Sequence, residues 1–396
     1  MTEHWIWLAG RHGIGPVNAA KLLEAFGSAE AVYAADAEAL ARAGFRAKSA
    51  AALLDKDLSA AEEIRKTCLE RGVRVLLPGD GEYPDRLRQI PDAPTVLYCI
   101  GRLPDFTKQP CIGVVGTRDA DESGRKTARQ LGWQIVGCGG AVATGMAAGI
   151  DGEAARGALD RGGRVIGVLG GGVDTVYPEE NRWLFERVAE QGCLISEYPP
   201  GAKPMRSYFP ARNRIISALS DGLVVVQAGA QSGALITARR AADQDRDVFA
   251  VPGPAGDARS RGSNRLLRDG AILAECGWDV MREYEYRYPT AVREYHGRPG
   301  PAAQRQPEAA PRPARTQPPA ARPGREEPVP ELSRLDPVQR RIAEALLAGP
   351  RQLDALIDAA GLPAAQVLSQ LTMMEVRGIV SRTPGKIYAL NRGKHD

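Results

Sequence analysis

The sequence predicts an α/β chain whose central part is a doubly wound, mostly parallel sheet. Between residues 111 and 275, short apolar runs of strand length alternate with helical patterns. Such alternation is typical of parallel strands covered by helices on both faces. The runs contain few polar residues, as expected for strands that are buried on both sides. The chain has 396 residues, enough for two or three domains, because a single core rarely grows beyond about 250–300 residues.

Residues 1–72 are predicted to form a helical, SAM/helix-hairpin-helix-like domain. Residues 13–16 read Gly-Ile-Gly-Pro and precede an apolar helical pattern, which looks like half of a helix-hairpin-helix. In such a turn the backbone amides can approach a phosphate at a helix N-terminus. An ordinary turn between two helices explains the same residues equally well, so DNA contact and a structural role both remain open.

Residues 73–290 are predicted to form the extended Rossmann-like sheet domain. Its strands are predicted at 111–116, 141–145, 164–169, 193–198, 222–227, 247–251 and 271–274. Its helices are predicted at 121–136, 150–161, 179–190, 212–219 and 232–244. The shorter strands and turns after residue 73 are expected to pack against this sheet as an annex.

Residues 291–332 are predicted to form a linker. Ten of the positions from 296 to 330 are proline and six are arginine. A stretch of this composition cannot build a hydrophobic core, and its prolines favour extended conformations.

Residues 333–396 are predicted to form a winged-helix domain, because three helical patterns precede a turn-linked pair of strands. The helical patterns lie at 337–347, 352–359 and 363–377, and the core residues of the last one are Val367, Leu368, Leu371 and Met374. The surface of that helix carries few cations, which favours a protein contact or a regulatory role. Binding of duplex DNA remains the alternative.

The bulk composition excludes several classes of protein. The six cysteines are widely spaced, without a C-x-x-C pair or a neighbouring histidine, so we expect buried thiols in a cytoplasmic protein and no metal site. The N-terminus lacks the pattern of a signal peptide, and no apolar run approaches the length of about 18 residues that a membrane span needs. All four histidines lie outside the predicted sheet, which argues against a histidine-dependent enzyme.

No cofactor is expected. The three glycines at 170–172 invite a dinucleotide-binding interpretation, but the G-x-G-x-x-G pattern is absent after the first strand. A lone glycine triplet is weak evidence for such a site. The net charge of +4 is too small to indicate a nucleic-acid partner by itself, so the position of the cations matters more.

The carboxyl ends of the predicted strands carry arginines, small residues and backbone amides. Ligands of a parallel sheet bind at these ends, so the sequence predicts an anion-binding groove rather than an acid/base site. Gly116, Thr117 and Arg118 follow the first strand, where amides and a bidentate arginine can hold a phosphate. Alternatively, Arg118 braces a loop by pairing with Asp151 or Asp174.

Arg212, Asn213 and Arg214 form a second basic cluster. A helix at 212–219 would direct its positive N-terminus towards the same edge. Arg212 and Arg214 cannot share one helical face, so we expect one to contact the ligand and the other to brace the fold, with Arg212 as the preferred contact. The remaining candidate contacts are Lys203, Arg206, Ser232 and Gly233. N-capping explains Ser232 equally well.

The carboxylates near these arginines receive structural interpretations. Asp151 begins a predicted helix and is expected to be its N-cap. Asp174 and Glu197 are expected to pair with groove arginines or to fix loops.

Eight segments, in their order along the chain, resemble the DNA-processing protein A (DprA/Smf) family. They are residues 115–118, 144–151, 168–178, 196–200, 209–217, 232–238, 248–253 and 259–271. The resemblance implies a non-enzymatic protein that binds single-stranded DNA in the groove, protects it and helps to load the RecA recombinase in natural transformation. It also implies a homodimer formed through the central domain.

The sequence departs from the family pattern at two positions. Relatives often carry arginine where this chain has Ala148, and lysine or arginine where it has Glu179. Both changes remove positive charge from the predicted groove. They would shift the DNA path towards Lys203 and Arg206, or weaken binding.

Two other functions compete with this interpretation. Nucleotide-processing enzymes of the related fold, which cleave ribosyl monophosphates, carry a Pro-Gly-Gly-x-Gly-Thr motif followed by a glutamate. The corresponding stretch here, residues 227–233, reads Gln-Ala-Gly-Ala-Gln-Ser-Gly and has no glutamate. The third possibility is a transcription regulator that acts through the winged helix.

Overall fold

The computed structural model of the chain describes residues 1–45, 47–298, 335–347, 349–376, 379–383 and 387–390. The chain divides into two compact units, residues 1–305 and 306–396. The predicted domain boundaries at 72, 290 and 332 stay predictions. Residues 299–332, which make up most of the predicted linker, lie outside the described residues.

Six helices form the N-terminal part of the first unit, as predicted. Local signals explain their ends: Pro16 occupies the first turn of the second helix, and Gly27 ends that helix in the left-handed region at φ 84°. Ser28 and Asp36 cap the next two helices by accepting backbone hydrogen bonds. The helices are α1 (Thr2–Ala9), α2 (Pro16–Phe26), α3 (Ala29–Ala34), α4 (Ala37–Arg42), α5 (Ala47–Leu54) and α6 (Ser59–Glu70).

A nine-stranded sheet forms the centre of the first unit. Its strands are β1 (Arg74–Leu76), β2 (Leu97–Gly101), β3 (Cys111–Val115), β4 (Ala141–Thr144), β5 (Val165–Val168), β6 (Cys193–Ser196), β7 (Gly222–Val225), β8 (Asp247–Ala250) and β9 (Ile272–Leu273). Their order is β1-β2-β6-β5-β4-β3-β7-β8-β9. The pairs from β6 to β9 are all parallel, whereas β2 pairs antiparallel with both β1 and β6. The predicted sheet is confirmed, and the annex forms part of it.

Helices cover the two faces of this sheet and create two hydrophobic cores. Successive residues of β3 point to opposite faces, so Ile112 packs in one core and Val115 in the other. The helices are α7 (Asp85–Arg88), α8 (Glu122–Gly137), α9 (Ile150–Asp160), α10 (Arg182–Gln191), α11 (Tyr208–Leu219), α12 (Gly233–Asp243), α13 (Arg261–Arg268) and α14 (Gly277–Met281). Single 3-10 turns lie at Glu179–Asn181 and Arg282–Tyr284.

Helices α8 and α9 approach each other through glycines. A Cβ atom at Gly132 would overlap the carbonyl oxygen of Ala154, and one at Gly157 would overlap that of Arg129. The two helix backbones are therefore in direct contact. A larger residue at either glycine would prevent this close approach.

Helix α11 differs from the sequence prediction in its start, and helices α7, α13 and α14 were not predicted. The helix predicted at 212–219 begins one turn earlier, at Tyr208, because Pro210 is tolerated in the first turn of a helix. Helix α13 was missed, since its first half contains Gly262, Ser263 and Asn264, which are weak helix formers. It is held in place by backbone hydrogen bonds to Ala228.

The second unit contains the predicted winged helix. Helices α15 (Pro337–Leu347), α16 (Leu353–Ala360) and α17 (Ala364–Val376) accompany a sheet with the order β10-β12-β11. The strands are β10 (Arg351–Gln352), β11 (Val380–Thr383) and β12 (Ile387–Leu390). Val367, Leu371 and Met374 are buried in its core as predicted. The side chain of Leu368 lies outside the described residues.

The state of the cysteines and the hydropathy of the described helices can be compared with the expectations from the composition. All six cysteines are free, and only Cys276 is partly exposed. Among the described helices, none has both the length and the hydropathy that crossing a membrane requires.

Candidate nucleic-acid interface

A groove of about 840 Å³ lies at the carboxyl ends of β3 and β7. The chain leaves β3 towards β4 on one side and later enters β7 on the other side, so this is the topological switch point of the sheet. Crevices at switch points are the usual ligand sites of open parallel sheets. The predicted contacts that line this groove are Gly116, Thr117, Arg118, Arg206, Arg212, Asn213, Ser232 and Gly233.

Arg118 is the most available cation of the groove. Its side chain is exposed, and its guanidinium lies 4.9 Å from the ring centre of Phe209. The alternative that it pairs with Asp151 or Asp174 is wrong: Asp151 accepts a hydrogen bond from the amide of Gly145, and Asp174 pairs with Arg71. Within the described residues, no carboxylate lies at ion-pair distance from Arg118. Its charge is therefore free to meet a ligand.

Arg206 and Lys203 precede α11 and are both exposed. Arg206 lines the groove, whereas Lys203 lies outside its lining. In the described part of the chain, neither forms an ion pair. Asn213 is half-buried and also lines the groove.

Arg212 is buried in the floor of the groove, with 4% of its surface exposed. It donates a hydrogen bond to the carbonyl oxygen of Val168, and its Nε is buried without a partner among the described residues. Burial lowers the pKa of Arg212 to about 10, and the nearby carboxylate of Asp151 opposes this effect. Because α11 begins at Tyr208, Arg212 does not stand at its positive end as predicted. Direct contact between Arg212 and a ligand stays a prediction.

Arg214 lies outside the groove, contrary to its place among the candidate contacts. It is buried, forms an ion pair with Glu197 at 2.6 Å and another with Asp92 at 3.3 Å. This is the bracing role that the sequence analysis gave to one of the two arginines. The physical reason is their spacing, since α11 turns Arg212 towards the groove and Arg214 towards the neighbouring loops.

The backbone amides near Arg118 are less available than predicted. The Thr117 amide donates to the carbonyl oxygen of Gln227 at 2.7 Å, and the Asp119 amide is 3.3 Å from Thr117 Oγ1. At the start of α12, Ser232 Oγ accepts from the amide of Ala234 at 3.3 Å. Gly233 leaves the space beside its Cα open. The positive end of α12 is thus the amide-rich part of the groove.

Asp151 is not the N-cap of its helix, which corrects the sequence prediction. Gly149 takes that position with a φ of 76°, and Asp151 lies in the first turn of α9. Burial raises the pKa of Asp151, and Arg212 and the amide of Gly145 act in the opposite direction. Its role in the described structure is to hold the loop before α9 against the groove floor.

The sequence analysis missed the aromatic wall of the groove. Phe209 and Tyr177 both line it, with their ring centres 5.6 Å apart, and Tyr177 is 47% exposed. Aromatic faces of this kind stack on nucleic-acid bases. Phe209 directly precedes the second basic cluster, and that position was the available signal.

The two departures from the family pattern lie beside the groove rather than in its lining. Glu179 is exposed, and Arg182 forms two hydrogen bonds with its carboxylate, the shorter at 2.6 Å. The negative charge of Glu179 is therefore largely offset locally. Ala148 is half-buried in the loop before α9.

The glycine-rich turn after α1 faces the central sheet domain. Ile14, Gly15 and Pro16 line a cleft of about 570 Å³ whose other wall includes Tyr198 and Tyr208. These two tyrosines stack with their ring centres 3.7 Å apart. This geometry favours the structural interpretation of the turn.

Among the described residues, no group of histidine, cysteine, aspartate and glutamate side chains could hold a metal ion. The residues after β7, from 227 to 233, include no acid.

Three family models match successive parts of the chain. The sequence model of the DNA recombination-mediator protein A family matches residues 74–285. A winged-helix model of the same family matches residues 307–386, and a SAM-like tandem helix-hairpin-helix model matches residues 9–56.

Individual relatives agree with this assignment. The chain is 33% identical to protein Smf of Synechocystis sp., with 98% of each chain covered. It is 41% identical to the DNA processing protein DprA of Streptococcus pneumoniae, over 52% of this chain and 73% of the relative. It superposes on the X-ray structure of the Streptococcus pneumoniae protein with a TM-score of 0.62 and 32% identity, over 72% of this chain and 98% of that chain.

Proposed function

Because the chain belongs to the DNA recombination-mediator protein A (DprA/Smf) family, we propose that it binds single-stranded DNA in the groove at the carboxyl ends of β3 and β7. The observation that carries this proposal is the exposed, unpaired guanidinium of Arg118 resting against Phe209. A cation and an aromatic face side by side match a backbone phosphate and its neighbouring base.

In the groove, cationic side chains contact the DNA backbone and aromatic side chains contact the bases. Arg118 and Arg206 contact phosphates, with Lys203 extending the positive path beyond the groove. Phe209 and Tyr177 stack on bases, which a single strand exposes and a duplex hides within its own stack. Phosphate contacts carry no sequence information, so binding is largely independent of sequence.

The remaining groove residues support these contacts. Ser232 and Gly233 present the positive end of α12 to a phosphate, and Asn213 offers an amide for a hydrogen bond. Arg212 adds positive potential from the floor without being exposed.

The wider role follows from the family. We propose that the protein acts without catalysis, as a homodimer that protects incoming single strands and helps to load RecA onto them in natural transformation. The absence of acidic residues from 227 to 233, directly after β7, supports a binding role over hydrolysis of ribosyl monophosphates.

A salt titration tests the proposed function. Affinity for a fluorescent 20-nucleotide strand should fall with salt, because each neutralised phosphate releases counterions. If about 3–5 phosphates are contacted, the logarithm of the affinity should fall against that of salt with a slope of roughly −2 to −3.5. Fluorescence anisotropy measures this, with a duplex of equal length as the control. Salt-independent binding, tighter binding of the duplex, or release of adenine from adenosine monophosphate would contradict the proposal.

Removing the aromatic face should weaken binding without changing the charge. Phe209→Ala is expected to weaken single-strand affinity by about 10-fold, because stacking on one base contributes roughly 1–3 kcal/mol. Phe209→Tyr keeps the ring and should bind as the wild type does. Tyr286→Ala is the matched control, since that side chain is 99% exposed and lies outside the groove. Equal affinity of Phe209→Ala and wild type would place the stacking site elsewhere.

A further inference from the structure

A second cavity lies at the opposite edge of the sheet, where the parallel strands β3, β7 and β8 begin. It measures about 920 Å³, and we refer to it as the amino-edge cavity. Its wall includes Arg86 of α7, Arg246 just before β8, and Arg287 and Tyr288 near the end of the sheet domain. The aromatic ring of Phe106 also contributes to this wall.

The carboxylates at the cavity wall each have their own cation. Glu82 pairs with Arg74 at 2.6 Å, and Asp105 pairs with Lys108 at 3.1 Å. Asp85 pairs with Arg88. These three acids therefore form no ion pair with Arg86, Arg102, Arg246 or Arg287.

Behind the wall, the side chain of Asp221 is fully buried, and both of its oxygens already accept hydrogen bonds from the protein. Its two oxygens accept hydrogen bonds from Arg86 at 2.8 and 3.0 Å, and others come from the Cys111 amide and the Tyr288 hydroxyl. Arg287 forms a further ion pair with it at 3.1 Å. Two guanidinium groups thus share one carboxylate.

Arg86 has no donor to spare for a ligand, whereas Arg287 has. Arg86 also donates to the carbonyl oxygens of Leu219 and Phe106. Arg287 is 58% exposed and uses one nitrogen for Asp221. Its side chain lines the cavity, and within the described residues it forms no other ion pair.

Arg246 is a cation of the cavity that forms no ion pair among the described residues. It is half-buried, and its contact with the carbonyl oxygen of Ala218 is long, at 3.4 Å. Its Nε is buried and lacks a hydrogen-bond partner among the described residues. Within the same residues, no carboxylate lies at ion-pair distance from Arg246. The charge of Arg246 is therefore not neutralised by an acid, and its side chain lines the cavity.

Arg102 adds a third available guanidinium to the cavity. It is exposed and lines the wall, and in the described chain it forms no ion pair. Three arginines with free donors therefore converge on one cavity whose acids are already engaged.

We propose that the amino-edge cavity binds a phosphate group through Arg246 and Arg287, assisted by Arg102. Planar guanidinium groups match the oxygens of phosphate and bind it in a bidentate manner. Several cations at one site favour a multiply charged anion over a single carboxylate. The cavity volume lies within the range of about 300–1,000 Å³ that small-molecule sites occupy, so the phosphate belongs either to a small molecule or to a DNA strand that reaches this edge.

This site is distinct from the groove. Strand β3 spans Cys111–Val115, and at about 3.3 Å per residue its two ends are roughly 13 Å apart. One phosphate cannot contact both Arg118 and Arg246. The inference therefore does not depend on the proposed function of the groove.

Calorimetric titration of the full-length protein with inorganic pyrophosphate tests the proposal. Wild-type protein should bind it, and the double variant Arg246→Gln with Arg287→Gln should bind at least about 10-fold more weakly, because two charge-assisted contacts are lost. Arg246→Lys keeps the charge and should lose less affinity than Arg246→Gln. Arg282→Ala removes a cation that lies outside both the cavity and the groove, and this variant should bind pyrophosphate as the wild type does.

Two further measurements complete the test. Melting curves without pyrophosphate establish that the variants are folded, and Arg246→Gln alone is informative because Arg246 does not contact Asp221. A 20-nucleotide single strand is then added to pyrophosphate-saturated Arg118→Ala protein: displacement identifies a strand phosphate as the occupant, and retention identifies a small molecule. Absence of pyrophosphate binding at millimolar concentration, wild-type affinity in the double variant, or loss of binding in Arg282→Ala would each overturn the proposal.

Discussion

Replacing both Arg118 and Arg206 with alanine is expected to weaken single-strand binding by about 100-fold. Both side chains line the groove without an ion partner in the described chain. A hydrogen bond to a charged group contributes about 1.5–3 kcal/mol, so each single variant should lose roughly 10-fold and the double variant roughly the product. Fluorescence anisotropy at physiological salt measures the loss, and a shallower salt slope should accompany it.

The matched control for this pair is Arg282→Ala. Arg282 is about half-exposed and pairs with acids of its own turn, outside the groove. Its removal should leave the affinity unchanged. If the double variant bound as tightly as the control, the DNA would follow another path, such as the one through Lys203.

The largest loss of stability is expected for Asp221→Ala. This carboxylate is 0% exposed and compensates Arg86, which is itself almost completely buried. Removing one partner of a buried ion pair typically costs about 3–5 kcal/mol, because the other charge stays buried and uncompensated. The amide of Cys111, at the start of β3, would lose its acceptor as well. Urea unfolding of the full chain measures the change in the free energy of unfolding.

Asp269→Ala provides the comparison for Asp221→Ala. Asp269 pairs with Arg265 at 3.5 Å, and both side chains are more than half-exposed. Such surface pairs contribute about 0–1 kcal/mol, so this variant should unfold nearly as the wild type does. Equal losses in the two variants would mean that the buried pair has no special role in the sheet domain.

The sheet could be predicted from the sequence because its strands are buried on both faces. β3, β5 and β7 consist of apolar runs flanked by glycine, and the predicted bounds differ from the observed ones by two residues at most. Helices without a strong hydrophobic pattern were harder to predict. Helix α13 depends on hydrogen bonds to Ala228 rather than on the pattern of its own residues. Tertiary packing of this kind leaves no periodic signal in the sequence.

The groove was predictable in its location but less so in its contacts. Strand ends in a parallel sheet meet at one edge, which placed Arg118 and Ser232 together. The burial of both arginines of α11 could not be inferred, because it depends on Asp151 and Glu197 from distant segments. Phe209 was overlooked, since an aromatic residue at helical spacing is usually part of a core.

The pairing of β3 with β7 determines when during synthesis the protein becomes able to bind. Ile112 of β3 pairs with Gly222 of β7. Three other strands, β4, β5 and β6, lie between these two strands in the sequence. The wall formed by Ser232 follows later still. A nascent chain therefore carries Arg118 long before it has a groove, since closing such long-range contacts is the slow step of folding. Any truncated product that ends before α12 would contain Arg118 but would lack the groove wall that Ser232 forms.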